Sequence, residues 1–244
     1  ITLSFFENLL PEGDVRKEIE AAHKITGVFD FLAAFGKDCA GAIILADNTD
    51  HRPPTGPAKL TPIEMSTVYE AINENLSVAE VISEQNPGYL SLAGAQDKFP
   101  VVFQGGKFFL PKNGSPTTHI IKAPIWRHGV KESIYNEYFC MALARAIGLE
   151  VPPCQVVAGE HPLFIIERYD RILEGGIVRR VHQQDLCQAQ GYSSEYKYET
   201  RGGPSLKQNY EFITAHTSSA YRLPSLEKFL DWICFNLIIG NNDS

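Results

Sequence analysis

The chain has few cysteines, no long apolar run and no excess of positive charge, and each shortage removes a class of protein. Its five cysteines, Cys39, Cys140, Cys154, Cys187 and Cys234, are odd in number, scattered and never spaced as CxxC or CxxH. Neither a disulfide framework nor a zinc site is signalled, and a reducing, cytoplasmic compartment is expected. His119, His182 and His216 show no metal-ligand spacing either. No apolar stretch reaches the roughly 18 residues that span a bilayer, and the richest, Phe229 to Ile239, is interrupted by Asp231 and Asn236. No membrane partner and no signal peptide are expected. With 22 Lys and Arg against 29 Asp and Glu, the net charge is -7. That balance argues against broad attraction to nucleic acid, so contact with DNA is expected only indirectly, through a partner. A Gly-x-Ser-x-Gly elbow is missing, which leaves a serine hydrolase little support. The first residue is Ile1 rather than Met, so a fragment or a processed chain is expected.

What is present is an ordinary globular composition, 44% hydrophobic and 21% charged over 244 residues, enough for one large domain or two smaller ones with a real core. Val15 to His23 and Val28 to Phe35 read as helices, and Gly41 to Ala46 as a short buried strand. Thr61-Pro62-Ile63-Glu64 has the form of a capped helix start, with the helix running to about Asn75. Ser83 to Gly88 is polar and turn-rich, and a boundary is expected there. Beyond it the texture changes to short strands. Phe99 to Phe103 and Lys107 to Leu110 flank Gln104-Gly105-Gly106, a hairpin signature. His119 to Ile125 is a third strand. Ser133 to Ile147 is a helix with Phe139, Leu143, Ala146 and Ile147 on one face, stopped by Gly148. Further hairpins are expected about Gly159 and about Gly175-Gly176. Helices follow over Gln183 to Gln190, Ser205 to Thr214 and Ser225 to Ile239.

Several residues in this order suit phosphoryl transfer, which needs backbone donors near the phosphates, a lysine on their oxygens, metal carboxylates and an acid orienting the nucleophile. The turn from Ser91 to Lys98 contains Ala93, Gly94 and Ala95, small enough for a backbone to approach a ligand. It is neither GxGxxG nor a Walker A sequence, and an ordinary tight turn is the plain alternative. Lys122 follows Ile120 and Ile121, so alternation places it on the face of Ile120. It needs an anion there or an escape to solvent. Glu132 and Glu137 of the next helix are candidate partners. Glu167-Arg168-Tyr169-Asp170-Arg171 closes a strand where the pattern turns from β to helix. An adenine could bond its backbone edge beneath Tyr169, or the segment could be a charged exit into a loop. Asp243, after Gly240-Asn241-Asn242, stands where a phosphotransferase needs its base, or in a solvated cap.

Seven collinear segments together resemble the HipA-type serine/threonine kinases of bacterial toxin–antitoxin modules. They are Phe5 to Gly13, Gly36 to Ala42, Ser91 to Lys98, Thr117 to Lys122, Asn136 to Tyr138, Glu167 to Arg171 and Gly240 to Asp243. The resemblance implies an α+β, divergent protein-kinase-like fold. Residues 1–85 would be an N-terminal α/β portion, 86–170 a β-rich nucleotide lobe, and 171–244 the first part of an incomplete all-helical C-terminal lobe. It implies ATP and Mg2+ as cofactors. Ala93, Gly94, Ala95, Gln96, Lys98, Lys122, Glu137, Glu167 and Tyr169 would bind the nucleotide, with Lys122 on the phosphates and Glu167 and Tyr169 at the adenine. Asp243 would be the catalytic base and Ser91 a regulatory serine whose autophosphorylation silences the enzyme.

Family substrates are translation factors, notably aminoacyl-tRNA synthetases, and family partners are helix-turn-helix antitoxins. The chain departs from the pattern at both ends. The first strands are missing, and the catalytic loop and the metal ligands should follow Ser244, so the 244 residues alone are expected to be inactive. A degenerate pseudokinase that binds nucleotide or an antitoxin-like partner is the alternative, and a small-molecule phosphotransferase is a third reading.

Overall fold

A computed structural model describes residues 2–45, 58–85, 89, 96–112, 114–125 and 132–241. Three helices open the chain: α1 (Thr2–Glu7), α2 (Gly13–His23) and α3 (Gly27–Phe35). A short strand β1 (Leu60–Pro62) precedes α4 (Met65–Asn73) and α5 (Val78–Gln85). The hairpin β2 (Lys98–Gln104) and β3 (Lys107–Pro111) is followed by β4 (His119–Lys122), α6 (Ser133–Ala146), and the pair β5 (Cys154–Val157) and β6 (Leu163–Glu167). A separate ribbon, β7 (Arg171–Glu174) and β8 (Ile177–Arg180), leads to α7 (Leu186–Gln190), α8 (Leu206–His216) and α9 (Ser219–Ile239).

The principal sheet has the order β1-β3-β2-β4-β6-β5, and every neighbouring pair is antiparallel. The β2–β3 turn works because Gly105 and Gly106 both take positive φ, 58° and 75°, which suits the twist of a two-residue hairpin. Side chains then sort by alternation. Phe99 and Val101 of β2, Ile121 of β4, and Leu163 and Ile165 of β6 join one core with Phe31 and Phe35 of α3, Val68 and Ile72 of α4, and Val78 and Ile82 of α5. Each such side chain, fully buried, contributes roughly 1.5–3 kcal/mol. The opposite face carries Lys98, Lys122 and Phe164 in one row, since Lys98 pairs with Lys122 and Lys122 with Phe164. Helix α6 packs on this side, against β5 and β6.

Several expectations change. Residues 41–45 form a turn and an irregular stretch rather than a strand: among the described residues none pairs with them as a strand, and the Leu45 amide donates to the Gly36 carbonyl at 2.9 Å. Thr61 and Pro62 are not a helix cap. They form β1, an edge strand on β3 where Pro62 sits at the strand end, and α4 begins at Met65 after Glu64 with no side-chain cap. Ser83, expected in a turn, is buried within α5. The face of α6 is also displaced: Ile134 and Ala144 are buried, whereas Phe139 is 64% and Ile147 61% exposed. Helix α9 starts six residues before Ser225 and carries Pro224 inside it. Among the described residues no helix is long and apolar enough to cross a membrane.

Candidate active site

The row on the second face is the chemical centre of the described residues. Lys122 ends β4, and its Nζ pairs with the Glu137 carboxylate, one turn into α6. Its ammonium also lies 5.8 Å from the centre of the Phe164 ring, within cation–π range. The link from strand to helix is set locally, because the Ile125 amide donates to the Ser133 hydroxyl at 3.0 Å. Glu132, the other candidate partner, is instead the N-cap of α6 in a left-handed conformation and is exposed. Lys98 stands across the ladder from Lys122. Burial, and next the like charge of Lys122, push its pKa down to about 8, against the opposing pull of Glu137 and Glu12. Glu12 is held by Lys197 at 2.7 Å. An arriving anion would restore the Lys98 proton, which suits phosphate oxygens.

The segment entering β2 is anchored from below. Asp97 accepts from the Val78 amide at 2.7 Å, the Ala79 amide at 3.2 Å and the Ser77 hydroxyl at 3.0 Å, so it satisfies orphan donors at the start of α5. The Gln96 side chain donates to the Ala123 carbonyl at 3.4 Å. Ser91, Ala93, Gly94, Ala95 and Asp243 lie outside the described residues.

At the end of β6 the Glu167 amide donates to the Pro153 carbonyl at 2.8 Å, and the Arg168 amide to Thr118 at 2.9 Å on the other side. Alternation therefore turns the Glu167 carbonyl and the Tyr169 N–H toward the β5 side, where that edge strand has run out. Tyr169 is 72% exposed above this edge. The Glu167 carboxylate is 4.0 Å from the His119 ring, whose pKa burial lowers.

The residues flanking Tyr169 are not a charged exit. Arg168 and Asp170 are buried, and the Arg168 guanidinium grips Asp170 with two bonds, Nε to Oδ1 at 3.0 Å and Nη2 to Oδ2 at 2.9 Å. Arg168 also reaches Asp38, a residue whose role the sequence alone does not signal. Asp38 accepts from Arg168 Nη1 at 3.1 Å, Arg171 Nη2 at 2.9 Å, Arg180 Nη2 at 2.9 Å and the amide and hydroxyl of Thr117. Burial pushes its carboxyl up, but the three guanidiniums and Thr117 outweigh that and hold it below the usual carboxylate range. What the sequence does show is an aspartate three residues after the apolar helix that ends at Phe35. No group of three or more His, Cys, Asp or Glu able to hold a metal occurs among the described residues.

An antiparallel sheet whose inner strand carries a lysine paired to a glutamate of the next helix, continued by helices, defines a divergent protein-kinase-like α+β fold. Comparison with known proteins makes this specific. The profile described as the HipA-like C-terminal domain matches residues 90–244, and the HipA N-terminal domain matches residues 2–46. The chain belongs to the HipA family of kinase toxins.

It is 38% identical to the protein Y4mE of Sinorhizobium fredii, over 98% of this chain and 58% of that protein. To the serine/threonine-protein kinase toxin HipA of Shewanella oneidensis it is 31% identical, over 98% of this chain and 57% of that protein. A solved complex of Shewanella oneidensis HipA with HipB and its operator DNA matches with a TM-score of 0.73 and 26% identity, covering all of this chain and 58% of that one. The chain thus spans little more than half the length of these relatives.

Proposed function

We propose that the chain is the N-terminal and central part of an ATP-dependent serine/threonine protein kinase that acts as the toxin of a toxin–antitoxin module. The observation that carries this reading is the Lys122–Glu137 pair beside Lys98, in a chain of the HipA family. The adenine of ATP would bond the Glu167 carbonyl and the Tyr169 amide, with the Tyr169 ring over its face. Lys122, oriented by Glu137, and Lys98 would hold phosphate oxygens, together with backbone donors of the turn containing Ala93, Gly94, Ala95 and Gln96. Asp243 would orient the acceptor hydroxyl and take its proton as the γ-phosphoryl group passes from ATP to that oxygen and ADP leaves. Mg2+ would neutralise phosphate charge on ligands other than the described residues.

Ser91 would be the control point. A phosphate there adds a dianion to the turn that must cradle phosphates, and so repels ATP. The acceptor would be a translation factor such as an aminoacyl-tRNA synthetase, and the site of action the cytoplasm. A helix-turn-helix antitoxin would be the partner, with DNA reached only through it. The solved relative, which holds HipB and operator DNA, supports this assignment. Residues 1–85, 86–170 and 171–244 would form the N-terminal subdomain, the nucleotide lobe and the start of the helical lobe, with strand β1 of the first segment completing the sheet of the second.

The test is intact mass and phosphopeptide mapping of the full-length protein after ATP and magnesium, beside Lys122→Ala and Asp243→Asn. Phosphate on Ser91 that vanishes in both variants is expected. A wild type that binds ATP yet phosphorylates neither itself nor added lysate protein overturns the kinase reading in favour of a pseudokinase.

A further inference from the structure

The charge network around Asp38 is too elaborate for the cohesion it supplies. Its side chain is 0% exposed, and those of Arg168, Asp170, Arg171 and Arg180 are 1%, 5%, 3% and 7% exposed. Burying five ionised groups incurs a desolvation cost that their attraction only roughly offsets, and a packed apolar cluster of equal volume commonly does as well. What such a network gives that an apolar cluster cannot is fixed direction, since each guanidinium–carboxylate bond has a defined geometry. Here the direction concerns the backbone. Arg168 and Asp170 are joined side chain to side chain across Tyr169, so the peptide units on either side of Tyr169 are held as a closed loop. Segment 38–41 fastens that loop from outside. Asp38 takes Arg168, the Gly41 amide donates to Asp170 Oδ2 at 2.7 Å, and the Cys39 carbonyl accepts from both Arg168 and Arg171 at 3.0 and 3.1 Å. Gly41 itself has φ 76° and the Gln183 backbone 3.1 Å from where a Cβ would stand, so the fastening segment is sterically seated as well.

We infer that Asp38 is a positioning residue for the base-binding edge: through Arg168 and Asp170 it sets the Glu167 carbonyl and the Tyr169 amide at the spacing an adenine requires. This rests on the reading of that edge as the adenine site. It makes the N-terminal segment part of nucleotide recognition although it touches no nucleotide. Hydrogen bonds to a base edge need donor and acceptor within a few tenths of an ångström of their preferred separation, so an edge displaced by about 1 Å loses them.

The experiment measures binding of ADP, GDP and inorganic tripolyphosphate to the full chain, well below the melting temperature, for wild type, Asp38→Asn, Arg168→Lys and Lys122→Ala. Wild type prefers ADP to GDP. Asp38→Asn weakens ADP about tenfold and removes that preference, while tripolyphosphate, which makes no use of the base edge, binds as before. Arg168→Lys, which keeps the charge but not the fork, repeats the pattern and serves if Asp38→Asn does not fold. Lys122→Ala instead weakens ADP and tripolyphosphate together. A wild type indifferent to the base refutes the adenine edge itself. A wild type that prefers ADP, with folded variants that keep that preference or lose all three ligands equally, refutes the role of Asp38.

Discussion

Replacing Lys122 by methionine should raise the pKa of Lys98. The two are direct cross-strand partners, which puts their Cβ atoms about 5 Å apart and their ammonium groups at roughly 6 Å. At an effective dielectric of about 20–40, two like charges at that separation repel by about 1.4–2.8 kcal/mol, or about one to two pKa units. Lys98 is pushed from 10.5 to about 8, and burial is the larger cause. Removing Lys122 should therefore recover only about one unit, placing Lys98 near roughly 9. Glu137→Gln should act with opposite sign and lower it further, because Glu137 favours the charged form.

The assay is the pH dependence of acylation of the Lys98 amine, followed by peptide mass spectrometry at fixed ionic strength. A wild-type Lys98 that titrates near 10.5, or one that Lys122→Met leaves unmoved, refutes the reasoning. Two consequences share its sign. Without ligand, Lys98 is protonated below about pH 8, so tripolyphosphate affinity should fall as pH rises through that value. Between about pH 8 and 10.5 the unfolded chain holds a proton that the folded chain has released, so this lysine should make stability rise with pH across that window.

Asp97→Ala should cost about 1–2 kcal/mol, the usual value of a helix cap, read as a lower urea midpoint at unchanged slope. Gly203→Ala should cost about 1–3 kcal/mol, because its Cβ would stand 2.0 Å from the Tyr196 carbonyl oxygen. Gly159→Ala should cost less in the same denaturation assay, since the atom at 1.8 Å is the Tyr69 hydroxyl, the end of a side chain that can swing aside. The Asp38 carboxyl, held below its ordinary range in the folded state, contributes stability that is present above about pH 4 and lost as pH falls through its folded value. Acid unfolding followed by circular dichroism should accordingly be shallower in Asp38→Asn than in wild type.

The elements that could be read in advance are those whose cause is local. The β2–β3 hairpin follows from Gly105-Gly106, and the helix stop after Ala146 from Gly148, which has φ 93°. The Lys122–Glu137 pair was legible because strand alternation and helix phase each narrowed the choice, although nothing local separated Glu137 from Glu132. Strand β1 was not legible. Three residues become a strand only by pairing with β3, fifty positions away, and Thr61-Pro62-Ile63-Glu64 carries the marks of a cap it does not form. The Asp38 network was hidden for the same reason, since its arginine partners lie 130 to 142 positions along the chain. A run such as Glu167 to Arg171 looks solvated until those partners are known.

The placement of β1 bears on how this protein can be cut. Leu60 to Pro62 occupy the outer edge of β3, so a truncation starting at the apparent boundary near residue 86 would strip a strand from the sheet it was meant to isolate. The bared edge of β3 would offer unpaired amides and carbonyls beside Phe108 and Leu110, a template for intermolecular pairing. Aggregation of such a piece would reflect a lost neighbour, not an intrinsically unstable lobe, and a cut placed ahead of Leu60 would keep the edge covered.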